Sequence, residues 1–347
     1  MTTTDLASSP IVDAHSDLLI ELAFFHEESN PFASRWLPKL DAGGVRIQVC
    51  ALFAEGESLP ELALRQVMTQ VAAFNRAVRE NADCVVSVAS AGDLGVASAP
   101  GKVGLMLSME GAEPLGYDPD LLDLFCDLGV RMISLTWNRR NPFADGTTED
   151  PRGGLSQLGR RLVDRISSLP LVLDLAHANA GTFFEALERS GDAPVVVSHA
   201  LCRALCDTPR NLSDDQLRAL AERDGVLGLM ALPLVVHPTE WTIPRIVDHV
   251  DHLVETIGIQ HVGLGGDFTR QISRSGAIRT AGLGSPPAAP GASAAVASLE
   301  AAIEGLAGPE DYGNLVEGLR ARGYGAGDLN ALCGGNLLRV LARALPV

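Results

Sequence analysis

The sequence has 347 residues, of which 46% are hydrophobic and 20% charged, a composition typical of a globular protein rather than a disordered one. Its formal net charge of −16 argues against a nucleic acid or an anionic membrane as partner, because the long-range field repels phosphate. No apolar run is long enough to span a membrane, and the first residues do not resemble a secretory signal, so we expect a cytoplasmic enzyme.

Short apolar runs alternate with helical patterns along the chain. The runs occupy residues 10–15, 45–53, 103–109, 130–136, 171–176, 194–198, 225–231 and 261–266. Near-continuous hydrophobicity over such short stretches is typical of parallel strands buried on both faces. Eight strand–helix repeats predict a (β/α)8 TIM-like barrel, and a doubly wound open sheet is the competing fold. Residues 85–89 fit an additional strand, which leaves the count of eight open.

The segments between the runs carry helix signals. Apolar residues recur at helical spacing over 58–80, and residues 213–223 begin with a serine that can cap a helix. Residues 271–298 are rich in Gly, Ala, Ser and Pro, which predicts a long loop after the last barrel strand. The tail from 309 to 347 has helical periodicity, so we expect terminal helices and one barrel domain over residues 1–347.

The six cysteines are scattered, and several lie in apolar runs, so we interpret them as reduced core residues. Cys202 and Cys206 have the spacing of a thiolate metal site. Because no second Cys/His pair with matching spacing accompanies them, this is a weak candidate.

The polar residues at the ends of the apolar runs carry most of the functional information. They are His15 and Asp17 after the first run, Glu110 after the third, His177 after the fifth, His199 after the sixth and Asp267 after the eighth. In a barrel these ends lie on one face, so the side chains should converge. Three imidazoles with carboxylates suit zinc or a similar divalent metal, and a carboxylate such as Glu110 can bridge two ions. Paired metals make a shared water nucleophilic near neutral pH.

Histidines elsewhere in the chain lack this placement and are interpreted as structural or solvent-facing. They are His26, His237, His249, His252 and His261.

Arg210 lies in a turn-rich segment after the sixth run, where its guanidinium could bind a substrate carboxylate through two hydrogen bonds. An ordinary loop salt bridge is the alternative. Asp13, Asp145 and Asp174 also lie near strand ends, where we expect them to support metal ligands or to face solvent.

Eight short segments around these residues form a recognisable series. They are Val12-Asp13-Ala14-His15-Ser16-Asp17-Leu18, Ala42-Gly43-Gly44-Val45, Met109-Glu110-Gly111, Asp174-Leu175-Ala176-His177, Val197-Ser198-His199, Asp207-x-Pro209-Arg210-Asn211-Leu212, Val262-Gly263-Leu264-Gly265-Gly266-Asp267-Phe268 and Gly334-Gly335-Asn336. In their order, and over nearly the whole chain, they resemble a known family, the membrane (renal) dipeptidases, which are zinc enzymes with soluble bacterial members.

The resemblance implies a barrel of the metal-dependent amidohydrolase type that holds two zinc ions and hydrolyses dipeptides, often with a D-residue on the C-terminal side. By this resemblance, His15 and Asp17 bind one ion, His177 and His199 bind the other, and Glu110 bridges them. Asp267 matches the family's catalytic carboxylate, and Arg210 matches the residue that binds the carboxylate of the dipeptide.

The sequence departs from the family at Trp137, where many members have a histidine that stabilises the tetrahedral intermediate. An indole can donate a hydrogen bond but cannot be protonated. We expect Trp137 and Asn138 to contact substrate, with Asn138 supplying part of the missing hydrogen bonding. Glu113 also replaces a residue that is often histidine, and residues 270–298 differ from the familiar members.

The sequence therefore predicts a cytoplasmic, zinc-dependent dipeptidase that acts on L-Xaa-L-Xaa or L-Xaa-D-Xaa through a water bridging two zinc ions. Its partner would be a small-molecule dipeptide, without nucleic acid or membrane, and the resemblance also allows a homodimer. The alternatives are a binuclear amidohydrolase acting on another small amide or lactone, and a metal-binding scaffold with weakened catalysis.

Overall fold

The computed structural model describes residues 10–277 and 299–347. Within them, nine parallel strands form one sheet, in the order β2-β1-β9-β8-β7-β6-β5-β4-β3. The strands are β1 (Ile11–Ser16), β2 (Val45–Phe53), β3 (Val85–Ser87), β4 (Val103–Glu110), β5 (Val130–Ser134), β6 (Val172–Asp174), β7 (Val195–Ala200), β8 (Val226–Leu229) and β9 (Val262–Leu264). Strand β2 also pairs with β4, which closes eight of the strands into a barrel. The predicted TIM-like barrel is confirmed, and the open sheet is wrong.

The extra strand is β3, which pairs with the first residues of β4 only. One edge of β4 pairs with β2, and the later residues of its other edge pair with β5. Strand β3 occupies the part of that second edge that precedes the pairing with β5, so it lies outside the closed ring. The additional strand suspected at 85–89 therefore exists without altering the count of eight in the barrel.

Helices cover the outside of the barrel. The described ones are α1 (Leu18–Phe24), α2 (Pro31–Arg35), α3 (Leu37–Ala42), α4 (Ala63–Glu80), α5 (Ala91–Ala97), α6 (Leu122–Asp127), α7 (Gln157–Ser168), α8 (Ala180–Arg189), α9 (Asp214–Glu222), α10 (Pro233–Val236), α11 (Ile243–Ile257), α12 (Arg270–Arg274), α13 (Tyr312–Arg322), α14 (Ala326–Asn330) and α15 (Asn336–Ala344). None of these described helices has the length and apolar character needed to cross a membrane.

Helix α15 closes the amino end of the barrel. Val12, Met106 and Val196 from three strands form a buried cluster with Leu337 and Val340 of this helix. Contacts of α15 with β1, β6, β8 and β9 lie on the same side. The carboxyl ends of the strands are therefore the end left for a site.

Helix α4 starts later than the sequence pattern suggested. The predicted helix over 58–80 begins at Ala63, because a proline disfavours helical backbone in the residue before it and Leu59 is extended. Leu62 and Leu64, two of the apolar residues in this pattern, are 54% and 44% exposed. Helix α9 begins as predicted, with the hydroxyl of Ser213 accepting a hydrogen bond from the backbone of the third helical residue.

The predicted long loop falls mostly outside the described residues. Its first residues are helical, since α12 covers Arg270–Arg274, and residues 278–298 are not described. The tail is helical as expected: α13 is followed by α14 and α15, and a π-helical turn at Ala331–Gly335 joins the last two. The organisation of residues 1–347 as one domain stays a prediction.

Candidate metal centre

The carboxyl ends of five barrel strands bring together the six polar residues predicted from the strand ends. His15 lies in β1, Glu110 ends β4, and His199 lies in β7. Asp17 follows β1 directly, while His177 and Asp267 lie three residues beyond the ends of β6 and β9. The strand-end rule thus places all six around one cleft.

His15 is surrounded by carboxylates. Its Nε2 lies 3.9 Å from an oxygen of Asp17 and 3.7 Å from an oxygen of each of Glu110 and Asp267. This nitrogen and Oδ1 of Asp17 are buried and have no hydrogen-bond partner within residues 10–277 and 299–347. Buried polar atoms normally have a partner, so these two lone-pair atoms are positioned for a cation.

His177 and His199 form the other half of the cluster. Their Nε2 atoms are 2.9 Å apart, and the ring of His199 stacks on that of His15 with centroids 3.7 Å apart. Two imidazole nitrogens this close can share a metal or a proton. The geometry joins the two halves into one continuous cluster.

Glu110 lies between the two halves. Its Oε2 faces Nε2 of His15, and its Oε1 lies 2.8 Å from Nε2 of His177 and 3.6 Å from Nε2 of His199. A carboxylate whose two oxygens face different ligand sets has the arrangement needed to bridge two ions.

Burial makes the cluster unfavourable for charge when no cation is bound. Desolvation, followed by the charge of Asp267, raises the pKa of Asp17 to about 8, and desolvation also raises the pKa of Asp267 to about 6. The pKa of Glu110 is raised well above its usual range by desolvation and by both neighbouring aspartates. Desolvation lowers the pKa of His15 to about 3. A bound cation would offset the carboxylate repulsion, and neutral imidazoles are the ligating form.

Two of these residues have left-handed backbone. The φ angles are 65° at His177 and 51° at Asp267, a region that residues other than glycine seldom occupy. Both positions follow strand ends, where a sharp turn directs the side chain over the barrel. Such strained residues cluster at functional sites in proteins.

The residues fit a divalent metal. Two groups of ligand atoms lie within 4.8 Å of one another: His15 with Glu110 and His199, and His15 with Asp17 and Asp267. Imidazole nitrogens and carboxylate oxygens are the donor set of zinc. Both groups contain His15, and the first combines His15 with His199, which the resemblance assigns to different ions. The assignment of each residue to one ion therefore stays a prediction.

Arg210 reaches the cluster from the loop after β7. Its Nη2 donates to the carbonyl oxygen of His199 at 2.9 Å and lies 3.1 Å from Nε2 of His177. Burial lowers the pKa of Arg210, and the negative charges of Asp267 and Glu110 partly offset this effect by raising it. The alternative of an ordinary loop salt bridge does not describe this contact, since the guanidinium lies at the cluster itself.

Trp137 and Asn138 lie beside His177. The Trp137 ring lies 5.8 Å from the ring of His177 and 5.5 Å from that of Phe53, centroid to centroid. The amide oxygen of Asn138 lies 2.7 Å from Nδ1 of His177. In the tautomer with the proton on Nδ1 this contact is a hydrogen bond, and the lone pair of His177 lies on Nε2, inside the cluster. Asn138 thus has a positioning contact that the sequence did not indicate, and substrate contact by either residue stays a prediction.

Asp13 and Asp174 are hydrogen-bonded to residues that form or adjoin the cluster. Asp13 accepts hydrogen bonds from the backbone of His15 and Gly266 and from the hydroxyl of Tyr312. Asp174 accepts from the backbone and hydroxyl of Ser198. Both side chains are buried, which agrees with the supporting role expected of them. The third, Asp145, pairs instead with Arg140.

Ser198 was not singled out from the sequence, although it directly precedes His199. Its hydroxyl lies 2.5 Å from Oδ2 of Asp174 and 2.7 Å from Nδ1 of His199. If the hydroxyl proton is donated to the carboxylate, Nδ1 of His199 must carry its own proton, which puts the lone pair of His199 on Nε2, inside the cluster.

Replacing Ser198 by alanine is expected to weaken zinc binding by about 10- to 100-fold, because His199 loses the contact that orients its ring. Equilibrium dialysis with metal analysis measures the effect. Ser167→Ala is the control, since this hydroxyl donates to backbone oxygens of Val163 and Ser190, away from the cluster. Equal zinc affinity of wild type and Ser198→Ala would contradict the orienting role.

The other histidines and the cysteines lie outside the cluster. His249 and His261 are buried against backbone carbonyls, and His252 contacts Asp214. The thiols of Cys202 and Cys206 point to backbone oxygens, so among the described residues they form no metal site.

Comparison with known proteins identifies the family. The sequence profile of the membrane dipeptidases, peptidase family M19, matches residues 4–276. The chain belongs to this family. Its relatives include the dipeptidase aclJ of Aspergillus oryzae, 27% identical over 97% of this chain and 78% of that protein. An uncharacterised dipeptidase of Schizosaccharomyces pombe is 32% identical over 68% of this chain, which spans about half of that protein's length (52%).

Solved structures agree with the assignment. The dipeptidase AC, a metallopeptidase of family M19, superposes with a TM-score of 0.82 at 25% identity, over 98% of this chain and 100% of that one. A metallopeptidase of Rhodobacter sphaeroides, bound to a phosphinate mimic of L-Ala-D-Ala, has a TM-score of 0.82 at 24% identity, over 97% and 99% of the two chains. Membership in this family of metallopeptidases implies a metal-dependent hydrolase.

Proposed function

We propose that this member of the family is a dipeptidase that works with two zinc ions. The observation that carries the proposal is the cluster at the carboxyl end of the barrel, in which three imidazoles and three carboxylates converge. Two of its buried lone-pair atoms have no partner among the described residues. Dipeptidase activity is the activity named for the curated relatives.

The proposed ligands are the five residues found at the strand ends, His15, Asp17, Glu110, His177 and His199. His15 and Asp17 would hold one ion, His177 and His199 the other, and Glu110 both. Support for this assignment comes from the positions of the two Glu110 oxygens on either side of the cluster. Two zinc ions held there would supply an activated water and a Lewis acid for the amide carbonyl.

The protein's own groups supply binding and proton transfer. Asp267 lies at the cluster with its pKa raised to about 6, so near neutral pH it is largely ionised and able to accept a proton. We assign it the transfer of that proton to the departing amine. Arg210 is assigned to the terminal carboxylate of the substrate, since its guanidinium can form two charge-assisted hydrogen bonds with it.

Trp137 and Asn138 would contact the substrate beside His177. The indole N–H can donate one hydrogen bond but cannot carry the positive charge of the histidine found in many members. The structure shows Asn138 engaged with His177, so Trp137 carries more of this assignment.

The test of the proposed function is a screen of the zinc-loaded protein against L-Xaa-L-Xaa and L-Xaa-D-Xaa dipeptides, with release of free amino acids as the readout. We expect hydrolysis of at least one class and none after zinc is removed. If no dipeptide is cleaved by protein that holds zinc, the proposal fails, and another small amide or a lactone becomes the candidate substrate.

Replacing Arg210 by alanine separates a dipeptidase from an amidohydrolase with a different substrate. A dipeptide should lose about 10- to 100-fold in kcat/KM, because hydrogen bonds to charged groups contribute about 1.5–3 kcal/mol. The same dipeptide with its carboxylate amidated should be a poor substrate of both proteins. An equal kcat/KM of wild type and Arg210→Ala on the free dipeptide would contradict the assignment. Cytoplasmic location and a homodimer stay predictions.

A further inference from the structure

Arg139 lies in the loop after β5 and extends across the rim of the barrel. Its Nη2 donates to the carbonyl oxygen of Ala54, just after β2, at 3.2 Å. Its Nε and Nη1 are buried and have no hydrogen-bond partner within the described ranges 10–277 and 299–347. An arginine has five N–H donors and no acceptor, so a guanidinium left in this state needs an anionic or carbonyl partner from elsewhere.

The next residue in the chain shows the usual alternative. Arg140 is exposed and binds Asp145 through two nitrogens, one of them Nη2 at 2.9 Å from Oδ2. This pair joins an exposed guanidinium to a largely buried carboxylate through two hydrogen bonds. The two arginines therefore differ in kind, since Arg140 has a carboxylate partner for its donors and Arg139 has donors without a partner among the described residues.

Glu113 is the carboxylate nearest to Arg139, yet it does not use these donors. Its Oε1 lies 4.0 Å from Nη2 of Arg139, at the limit of an ion pair. A carboxylate that simply neutralised Arg139 would contact it at hydrogen-bond distance. Nε and Nη1 of the guanidinium remain free of Glu113.

The unused donors lie close to the proposed reaction centre. The Arg139 guanidinium lies 5.1 Å from the ring of Trp137, which also contacts His177. Its charge acts most strongly on Glu113, and it also acts on Glu110 and His177. Any ligand in the cleft beside Trp137 therefore meets a positive charge there.

Arg139 and Arg210 occupy different parts of the rim. Arg139 contacts the loops after β2 and β4, whereas Arg210 contacts the residues that follow or end β6 and β7. If the terminal carboxylate of a dipeptide bound Arg210, the scissile peptide bond would lie at the metal cluster. The amino-terminal residue of the dipeptide would then lie on the side of Arg139.

We propose that Arg139 is a specificity residue that binds a carboxylate on the side chain of the substrate's amino-terminal residue, so that the preferred dipeptides begin with Asp or Glu. This inference rests on the proposed dipeptidase function. It explains why a guanidinium with unused donors is kept at the rim of a protein with a formal net charge of −16, whose long-range field would otherwise disfavour an acidic substrate.

The test uses the zinc-loaded full chain and two non-hydrolysable phosphinate dipeptide analogues, one with Glu and one with the isosteric Gln as amino-terminal residue. Calorimetry gives both dissociation constants. We expect the Glu analogue to bind about 10- to 100-fold more tightly, and Arg139→Met to remove most of this difference. Arg140→Met is the matched control and should keep it.

Equal binding of the two analogues to the unaltered protein overturns the inference, and this comparison requires no variant to fold. An Arg139→Met protein that weakens both analogues equally also overturns it, because a merely structural arginine would act in that way. If the Glu analogue is preferred but no dipeptide is hydrolysed, recognition by Arg139 stands and the proposed dipeptidase function fails.

Discussion

Glu110→Gln should lower kcat/KM on dipeptides by roughly 10³-fold or more, the scale expected when an essential member of a catalytic unit is removed. The amide keeps the size of the side chain but loses the negative charge that lies between His15 and His177. Zinc content should fall as well, measured by metal analysis after dialysis. Glu185→Gln is the control, because this carboxylate contacts Arg160 and a backbone N–H on the outer helices.

The same variant should not harm the metal-free fold. Burial and neighbouring carboxylates raise the pKa of Glu110, and a carboxyl with a higher pKa in the folded than in the unfolded chain destabilises the fold at neutral pH. Removing its charge should therefore leave the thermal midpoint of metal-free protein equal or higher, while the extra stability gained on zinc binding shrinks. Turnover and zinc content like those of wild type would contradict the bridging role.

Asp267→Asn should reduce kcat by about 10²- to 10⁴-fold, the usual contribution of a general acid–base group. The amide cannot take up the proton that the departing amine requires, whereas Arg210 remains to bind the substrate. KM should consequently change much less than kcat. Steady-state kinetics on one dipeptide separate the two parameters, with Asp123→Asn as a control on the outer surface, where this residue pairs with Arg165.

Zinc content decides how the Asp267 result is interpreted. A loss of kcat with zinc retained supports proton transfer by Asp267, whereas a loss that follows loss of zinc would make it a ligand. Its position near His15 and Asp17 makes this measurement necessary. A kcat within about threefold of wild type would contradict any part for Asp267 in the chemistry.

The barrel and the ligand cluster could be predicted from the sequence for one physical reason. Parallel strands buried on both faces appear as short apolar runs, and their carboxyl ends meet at one end of a closed barrel. Polar residues such as Glu110 and His199, which end such runs, must then converge. The same rule predicted that His177 and Asp267 would join them. It did not predict that both residues would lie beyond their strands with left-handed backbone.

The contacts made by individual side chains could not be predicted in this way. The contact of the Asn138 amide with His177, and the contact of the Ser198 hydroxyl with His199, depend on which rotamers the packed loops allow. The partners available to the Arg139 guanidinium depend on the loops after β2 and β4, which lie far from Arg139 in the sequence. Sequence spacing gives the residues at a site, and three-dimensional packing gives their partners.

A zinc titration of the metal-depleted chain, with bound metal and dipeptide hydrolysis followed in the same samples, tests the proposed two-zinc site directly. We expect saturation at two zinc ions per chain, with activity appearing as the cluster fills. Saturation at one zinc ion per chain or fewer, or full activity without zinc, would contradict a two-zinc site.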